Sequence, residues 1–184
     1  MNVILFALWF FLPAGLANSA PVFASRLPLL RNLTFPLDFG ASFREKRVFG
    51  VNKTWRGLMS GIVIATFTLW VQQYLYVHTG WAKTISGSID YSSLPILLLG
   101  PLFGLGALLG DAVESFFKRQ RGVPSGESWF PFDQFDYVIG GLLASSLVVQ
   151  LTLQEYVAIC VVWFCLHILS VYIGFLIGLR DSKI

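Results

Sequence analysis

Residues Met1–Ser25, MNVILFALWFFLPAGLANSAPVFAS, contain no Asp, Glu, Lys or Arg. Four further segments of the 184-residue chain are uncharged over 18 or more residues. They are Gly57–Ala82, Tyr91–Gly110, Tyr137–Gln154 and Tyr156–Leu179. All 13 basic and 10 acidic side chains therefore lie between or beyond these five segments.

Segments of this kind predict membrane-spanning helices. A hydrocarbon core about 30 Å thick is crossed by roughly 20 apolar residues in a helix, and five such segments are not expected in a soluble domain. The composition agrees, with 55% hydrophobic residues, 12% charged residues and a mean hydropathy of +0.69. We expect an all-α integral membrane protein with five transmembrane helices, forming a single membrane-embedded domain over residues 1–184. An ordinary cytosolic enzyme is excluded.

The basic residues predict the orientation of the chain. Twelve of the 13 lie in the loop 26–56, in a loop over about 118–136 or in the tail, and only Lys83 lies on the other side. Because cytoplasmic loops carry the excess of Lys and Arg, both loops are expected to be cytosolic, with the N-terminus outside and the C-terminus inside. Cleavage of the first segment as a signal peptide is disfavoured, because no basic region precedes it.

The net charge of +3 and the pI near 9.0 have the same origin. Basic residues next to transmembrane helices contact anionic lipid headgroups, so the charge indicates membrane lipids as partners and not nucleic acid. A multi-pass protein of the cell (plasma) membrane is expected. The oligomeric state is left open.

The first candidate for a polar site precedes the second apolar segment. Asn52, Lys53, Thr54 and Arg56 place hydrogen-bond donors around the start of a predicted helix. Helix N-termini with nearby donors bind phosphate groups. The same residues also fit a simpler role, in which basic side chains set the topology and contact headgroups.

The second candidate follows the third apolar segment. If that helix continues past Gly110, then Asp111, Glu114, Ser115 and Lys118 are spaced i, i+3, i+4 and i+7 and share one face. The last residue of this stripe, Lys118, is basic, and the next residue in the sequence is Arg119.

Two more carboxylates lie just before the fourth apolar segment. Asp133 and Asp136 are also spaced i, i+3, so two helices can direct three or four carboxylates at one point. Oxygen ligands of this kind suit Mg²⁺, which binds through a few carboxylates together with substrate phosphates.

The alternative is that these acids and bases only pair with one another at the membrane surface, where ion pairs are worth at most about 1 kcal/mol. Burial beside apolar segments favours the site, because a carboxylate there needs a cation or a basic partner.

The order of these residues resembles the signature of membrane CTP-transferases, the phosphatidate cytidylyltransferase family. That resemblance rests on Ser115-x-x-Lys118-Arg119, Gly122, Gly126 and Asp133-x-x-Asp136. A closer resemblance is to the CDP-archaeol synthases. It rests on Gly110-Asp111-x-x-Glu114-Ser115-Phe116-x-Lys118-Arg119, Pro131-x-Asp133-Gln134-x-Asp136 and Asn52-Lys53-Thr54-Trp55-Arg56-Gly57. It spans nearly the whole chain.

The resemblance implies an Mg²⁺-dependent CTP:lipid-phosphate cytidylyltransferase of phospholipid biosynthesis. CTP would react with a lipid phosphate, similar to 2,3-bis-O-geranylgeranyl-glycerol 1-phosphate, giving a CDP-lipid and pyrophosphate at a site facing the cytoplasm. The implied catalytic residues are Asp111, Lys118, Asp133 and Asp136. The implied metal ligands are Asp111, Glu114, Asp133 and Asp136. The implied groups for CTP and phosphate are Asn52, Lys53, Thr54, Arg56, Ser115, Lys118 and Arg119.

Two other functions are compatible with this pattern. A CDP-diacylglycerol synthase acting on phosphatidate is disfavoured, because the His-Gly-Gly run typical of those enzymes is absent and Gln134 stands where Arg is common. A small membrane transporter or lipid-binding protein is also disfavoured. Transporters tend to place charged residues near the midplane and often show repeats, whereas the acids here are expected at the cytosolic end and no repeat is evident.

The distribution of basic residues predicts which side of the membrane each loop occupies. Single cysteines at positions 46, 83 and 121, placed in a Cys160→Ser, Cys165→Ser background, are labelled on intact cells with a membrane-impermeant thiol reagent. We expect labelling at position 83 alone. External labelling at position 121 would show that the assigned orientation is wrong.

Overall fold

The computed structural model describes residues 2–124 and 127–176, which form a helical bundle with one small hairpin. Its elements are α1 Val3–Arg26, β1 Ser42–Phe43, β2 Lys46–Arg47, α2 Trp55–His78, α3 Gly80–Ile85, a 3₁₀ turn Tyr91–Ser93, α4 Ile96–Gln120, α5 Phe132–Ser145 and α6 Leu153–Leu176. The antiparallel strands pair Ser42 with Arg47 and Phe43 with Lys46. This hairpin was not predicted from the sequence.

Helix α1 lies at the centre of the bundle and contacts α2, α4, α5 and α6. Its first turn is capped by the Asn2 side chain, which accepts hydrogen bonds from the N–H groups of the helix start. Phe11 is fully buried and its ring meets those of Phe103 on α4 and Trp163 on α6 edge to face. Aromatic packing around one central helix therefore joins elements distant in sequence.

Four helices of the described residues are long and apolar enough to cross a membrane, namely α1, α2, α4 and α6. The segment expected to form another span contains α5, which has 14 residues and is about 21 Å long at 1.5 Å per residue. Helix α5 ends at Ser145, where the hydroxyls of Ser145 and Ser146 donate to carbonyls one turn back. The all-helical membrane class is confirmed, whereas the count of five spans and the orientation stay predictions.

Both predicted cytosolic loops lie at the same end of the bundle. The Lys46 ammonium of the hairpin donates to the Gln120 carbonyl at the end of α4, at 2.8 Å. Lys83 lies on α3, where the neighbouring Trp81 packs on Trp9 near the start of α1, at the opposite end. The tail residues Arg180 and Lys183, which also supported the orientation, lie outside the described residues.

Helices α4 and α5 approach closely because both carry glycine at their contact. A Cβ atom built at Gly106 would lie 2.5 Å from the Gly140 carbonyl oxygen, and one at Gly110 would overlap the Asp136 carbonyl oxygen. Small residues permit this approach between membrane helices. The Gly106 and Gly110 pair therefore packs within the molecule.

Substitution of Gly110 tests this contact. A methyl group in Gly110→Ala would push α5 away from α4 at Asp136, and overpacking of this kind costs about 1–3 kcal/mol. We expect a lower midpoint of thermal unfolding in detergent. Gly80→Ala is the matched control, because no atom of residues 2–124 and 127–176 lies within 4 Å of a Cβ atom there. Equal midpoints for the two variants would contradict the predicted role of Gly110.

Candidate functional site

Three carboxylates meet where α4 packs against α5. Asp111 and Glu114 lie one turn apart on α4, and Asp136 lies on α5 beside Gly110. One oxygen of each lies within 4.8 Å of one oxygen of the others. The stripe predicted on the third helix is present, because α4 continues past Gly110 to Gln120.

The cluster has the chemistry of a cation site. Glu114 is buried, and its Oε1 atom lacks a hydrogen-bond partner among the described residues. The Lys118 ammonium lies 3.9 Å from this oxygen. A buried carboxylate oxygen without a hydrogen bond is costly, and a divalent cation bound between three carboxylates would relieve that cost. The residues present therefore fit a divalent metal ion.

Two lysines neutralise part of the acidic charge. Lys53 extends from the loop before α2 and donates to both oxygens of Asp111, each at 2.6 Å. Lys118, itself buried, donates to both oxygens of Asp133 at 2.7 and 3.0 Å. Four carboxylates and two ammonium groups leave an excess of two formal negative charges, which one divalent cation would balance.

Asp133 differs from the other three carboxylates. It was predicted as a metal ligand, and that role stays a prediction. Its carboxylate interacts with Glu114 and accepts hydrogen bonds from Lys118 and from the Trp129 N–H, the latter at 2.7 Å. Burial acts to raise the pKa of Asp133, yet the hydrogen bonds from Lys118 and Trp129 lower it below its usual value. Asp133 is therefore ionised at neutral pH and forms an ion pair with the Lys118 ammonium.

The remaining predicted site residues are spread around this centre. Thr54 caps α2 by accepting from the Gly57 N–H at 3.2 Å, and Ser115 is buried on α4. Arg56 donates to the carbonyls of the segment after α1, and Arg119 donates to the Pro124 carbonyl. Asn52 precedes Lys53 in the same loop. Arg56 and Arg119 thus hold loop backbone, and they are not brought to the carboxylates.

Asp38 organises the loop that carries Lys53. This buried carboxylate accepts from the Arg47 guanidinium at 2.7 Å and from the N–H groups of Gly40, Phe49 and Gly50. Although burial acts to raise it, the bonds from Arg47 and the backbone lower the pKa of Asp38 to about 2. Sequence reasoning missed Asp38, because an isolated acid in a basic loop carries no spacing signal.

An apolar groove of about 730 Å³ adjoins the carboxylates between α4 and α5. Its walls are Leu109, Val113, Phe117, Phe132, Phe135 and Ile139, and Glu114 and Asp136 also line it. Arg121 and Trp129 line it as well, with the guanidinium of Arg121 5.8 Å from the Trp129 ring centre. Neither residue was predicted as a site residue from the sequence, since each lies in the loop between the motifs.

The fold and site together define a polytopic membrane protein whose charged groups meet an apolar space at one end of the helix bundle. A family model described as CarS-like, CDP-archaeol synthase, matches residues 1–184. The chain belongs to the CDP-archaeol synthase family.

Curated relatives and a solved structure agree with this assignment. The chain is 34% identical to a CDP-archaeol synthase of Pyrococcus furiosus over 169 residues, covering 91% of this chain and 90% of the relative. It is 32% identical to that of Methanocaldococcus jannaschii over 183 residues, covering 97% and 96%. A solved structure, described as an intramembrane enzyme for archaeal membrane lipids biosynthesis, has a TM-score of 0.69 and 28% identity, covering 89% of this chain and 91% of that one.

The carboxylate cluster predicts binding of a divalent cation in the absence of any substrate. We expect the purified protein to bind Mn²⁺, detected by loss of the free-ion electron paramagnetic resonance signal. Asp136→Asn removes one anionic ligand and is expected to weaken binding at least about tenfold. Glu45→Gln, at the exposed tip of the hairpin, makes the same charge change elsewhere. Equal Mn²⁺ affinity in the two variants would remove Asp136 from the cation site.

Proposed function

We propose that the protein transfers CMP from CTP to an ether-linked isoprenoid glycerol phosphate, yielding a CDP-lipid and pyrophosphate. The observation that carries the proposal is the junction of the carboxylate cluster with the apolar groove at Glu114 and Asp136. A reaction between a water-soluble nucleotide and a lipid headgroup needs both environments at one point. Family membership over all 184 residues supplies the reaction type.

In the reaction, a phosphate oxygen of the lipid attacks the α-phosphorus of CTP. The bond from that phosphorus to the bridging oxygen breaks, and pyrophosphate leaves with the electron pair. The attacking group is a phosphate monoester, already largely ionised near neutral pH, so the protein needs no general base. Its task is to bring two anions together in line.

We assign the cation to Mg²⁺, which Asp111, Glu114 and Asp136 would hold. Bound there, it would supply positive charge that neutralises the phosphates. Asp133 stays with Lys118, whose ammonium it holds at 2.7 Å. This assignment keeps Asp133 as a positioning residue and not as a direct ligand.

Lys53 and Lys118 are the cations that bind phosphate oxygens. The Lys53 ammonium contacts Asp111, a member of the cluster. The Lys118 ammonium contacts Asp133 and lies 3.9 Å from Glu114, another member. An ammonium has three donors, so one lysine can keep its carboxylate and still donate to a phosphate. Because both lysines are at least partly buried, such bonds are stronger than at an exposed surface.

The lipid chains lie in the groove between α4 and α5. Its walls are aliphatic and aromatic, so the tails remain in an apolar environment while the phosphate reaches Glu114 and Asp136. The end of the bundle that carries the carboxylate cluster faces the cytoplasm, where CTP is available. The basic loops at that end agree with this orientation. A phosphatidate substrate would use the same groove with acyl chains, and this is the alternative to be tested.

Pyrophosphate release tests the proposed function directly. Detergent-solubilised protein is incubated with CTP, Mg²⁺ and a panel containing a geranylgeranyl-ether glycerol phosphate and a phosphatidate. We expect release with the ether lipid, faster than with phosphatidate, and none with EDTA. Lys118→Met should lower turnover at least about a hundredfold, because it removes a charge that contacts the reacting phosphates.

Two variants complete this assay. Lys118→Arg keeps the charge but replaces a compact ammonium by a planar fork, so we expect activity between those of the wild type and Lys118→Met. Lys83→Met is the matched control, since it makes the same change at the opposite end of the bundle. Wild-type turnover in Lys118→Met would contradict the role assigned to that residue. Pyrophosphate release with phosphatidate alone would contradict the proposed substrate.

A further inference from the structure

Three aromatic side chains form an exposed cluster beside the start of α2. The Phe39 ring lies 6.0 Å from the ring centres of both Phe35 and Trp55. Phe35, Phe39 and Trp55 are 65%, 70% and 41% exposed. We call these three residues the aromatic cluster. Contiguous exposed apolar surface of this kind marks a site of interaction.

The aromatic cluster is continuous with the lipid-facing side of α2. Trp55 is the first residue of that helix, and the exposed apolar residues that follow on the same side are Met59, Val63, Phe67, Trp70 and Tyr74. Trp55 and Tyr74 are 19 positions apart, about 28 Å along the helix axis. This separation matches the roughly 30 Å hydrocarbon core, so a helix spanning it from Trp55 would bring Trp55 and Tyr74 to the two boundaries, where Trp and Tyr are enriched.

The backbone keeps the cluster at the depth of Trp55. The Trp55 N–H donates to the Phe35 carbonyl at 3.0 Å, and the Leu37 N–H donates to the Lys53 carbonyl at 2.8 Å. Phe39 has φ 50, a left-handed conformation that is costly for a bulky side chain. Contact of the exposed Phe39 ring with a partner other than this chain would offset the cost of the strained backbone.

The charge of the same segment selects an occupant. Residues 26–56 contain seven basic and two acidic side chains, and one of the acids, Asp38, is already paired with Arg47. Arg26, Arg31, Arg44 and Lys46 are exposed. Aromatic rings together with exposed Lys and Arg are complementary to a bilayer surface that carries anionic headgroups.

We propose that the aromatic cluster inserts into the headgroup boundary of the bilayer and docks the loop 27–54 on an anionic lipid surface. Within this loop the Leu37 N–H donates to the Lys53 carbonyl, and the Lys53 ammonium donates to Asp111 on α4. Membrane docking therefore holds the wall of the carboxylate site at a defined depth. This inference stands on the loop and α2 and does not depend on the proposed reaction.

Fluorescence quenching tests the docking in the full chain. Phe39→Cys and Glu45→Cys, each in a Cys160→Ser, Cys165→Ser background, are labelled with an NBD fluorophore and reconstituted into vesicles containing phosphatidylglycerol. Acyl-chain nitroxide lipids are expected to quench the label at position 39 at least about threefold more than the label at position 45. Aqueous iodide is expected to show the opposite order. Phe35→Cys provides a second label in the cluster if Phe39→Cys fails to fold.

Three results would overturn the proposal. Equal iodide quenching at positions 39 and 45 would place the cluster in water. Protection of position 39 from both quenchers would place it against protein, such as a second copy of this chain. Unchanged lipid quenching at position 39 in vesicles of phosphatidylcholine alone would remove the anionic surface as the partner.

Discussion

The close contact of α4 with α5 is the constraint on which the site depends. Carboxylates from two helices meet only if the backbones approach at Gly110 and Asp136, and that approach leaves no space for a Cβ atom. The membrane makes the contact more demanding, since helices in lipid associate through packing without a hydrophobic driving force between them. The contact in turn brings Asp136 to Asp111 and Glu114 and forms one wall of the apolar groove.

The charges follow from this packing. Carboxylates at the end of a membrane helix are costly unless a cation or a basic group neutralises them. Lys53 and Lys118 each neutralise one, and a buried oxygen of Glu114 accepts no hydrogen bond from the residues that the structure describes. A site with this residual negative charge is prepared for a divalent cation. The adjoining groove is lined mainly by apolar side chains, so under the proposed function the lipid tails would not have to enter water.

Much of the site was predictable from spacing alone. Asp111, Glu114 and Lys118 repeat with helical periodicity, and α4 places them together as expected. That Lys118 pairs with Asp133, whereas Asp136 joins Asp111 and Glu114, was not predictable, because the two acids precede the same apolar segment and only the tertiary structure distinguishes them. The contacts of the Arg56 and Arg119 guanidinium groups with loop carbonyls were not predictable either.

The sequence by itself determined the membrane class, the apolar segments and the face of α4 that carries the acids. These properties depend on hydrophobicity and on the 3.6-residue period, which act locally along the chain. Only the tertiary structure decided that α5 is short, that Lys53 pairs with Asp111 and that Asp38 folds the loop between α1 and α2. Such pairings join residues up to 58 positions apart, and they arise from helix packing and loop hydrogen bonds that no local pattern specifies.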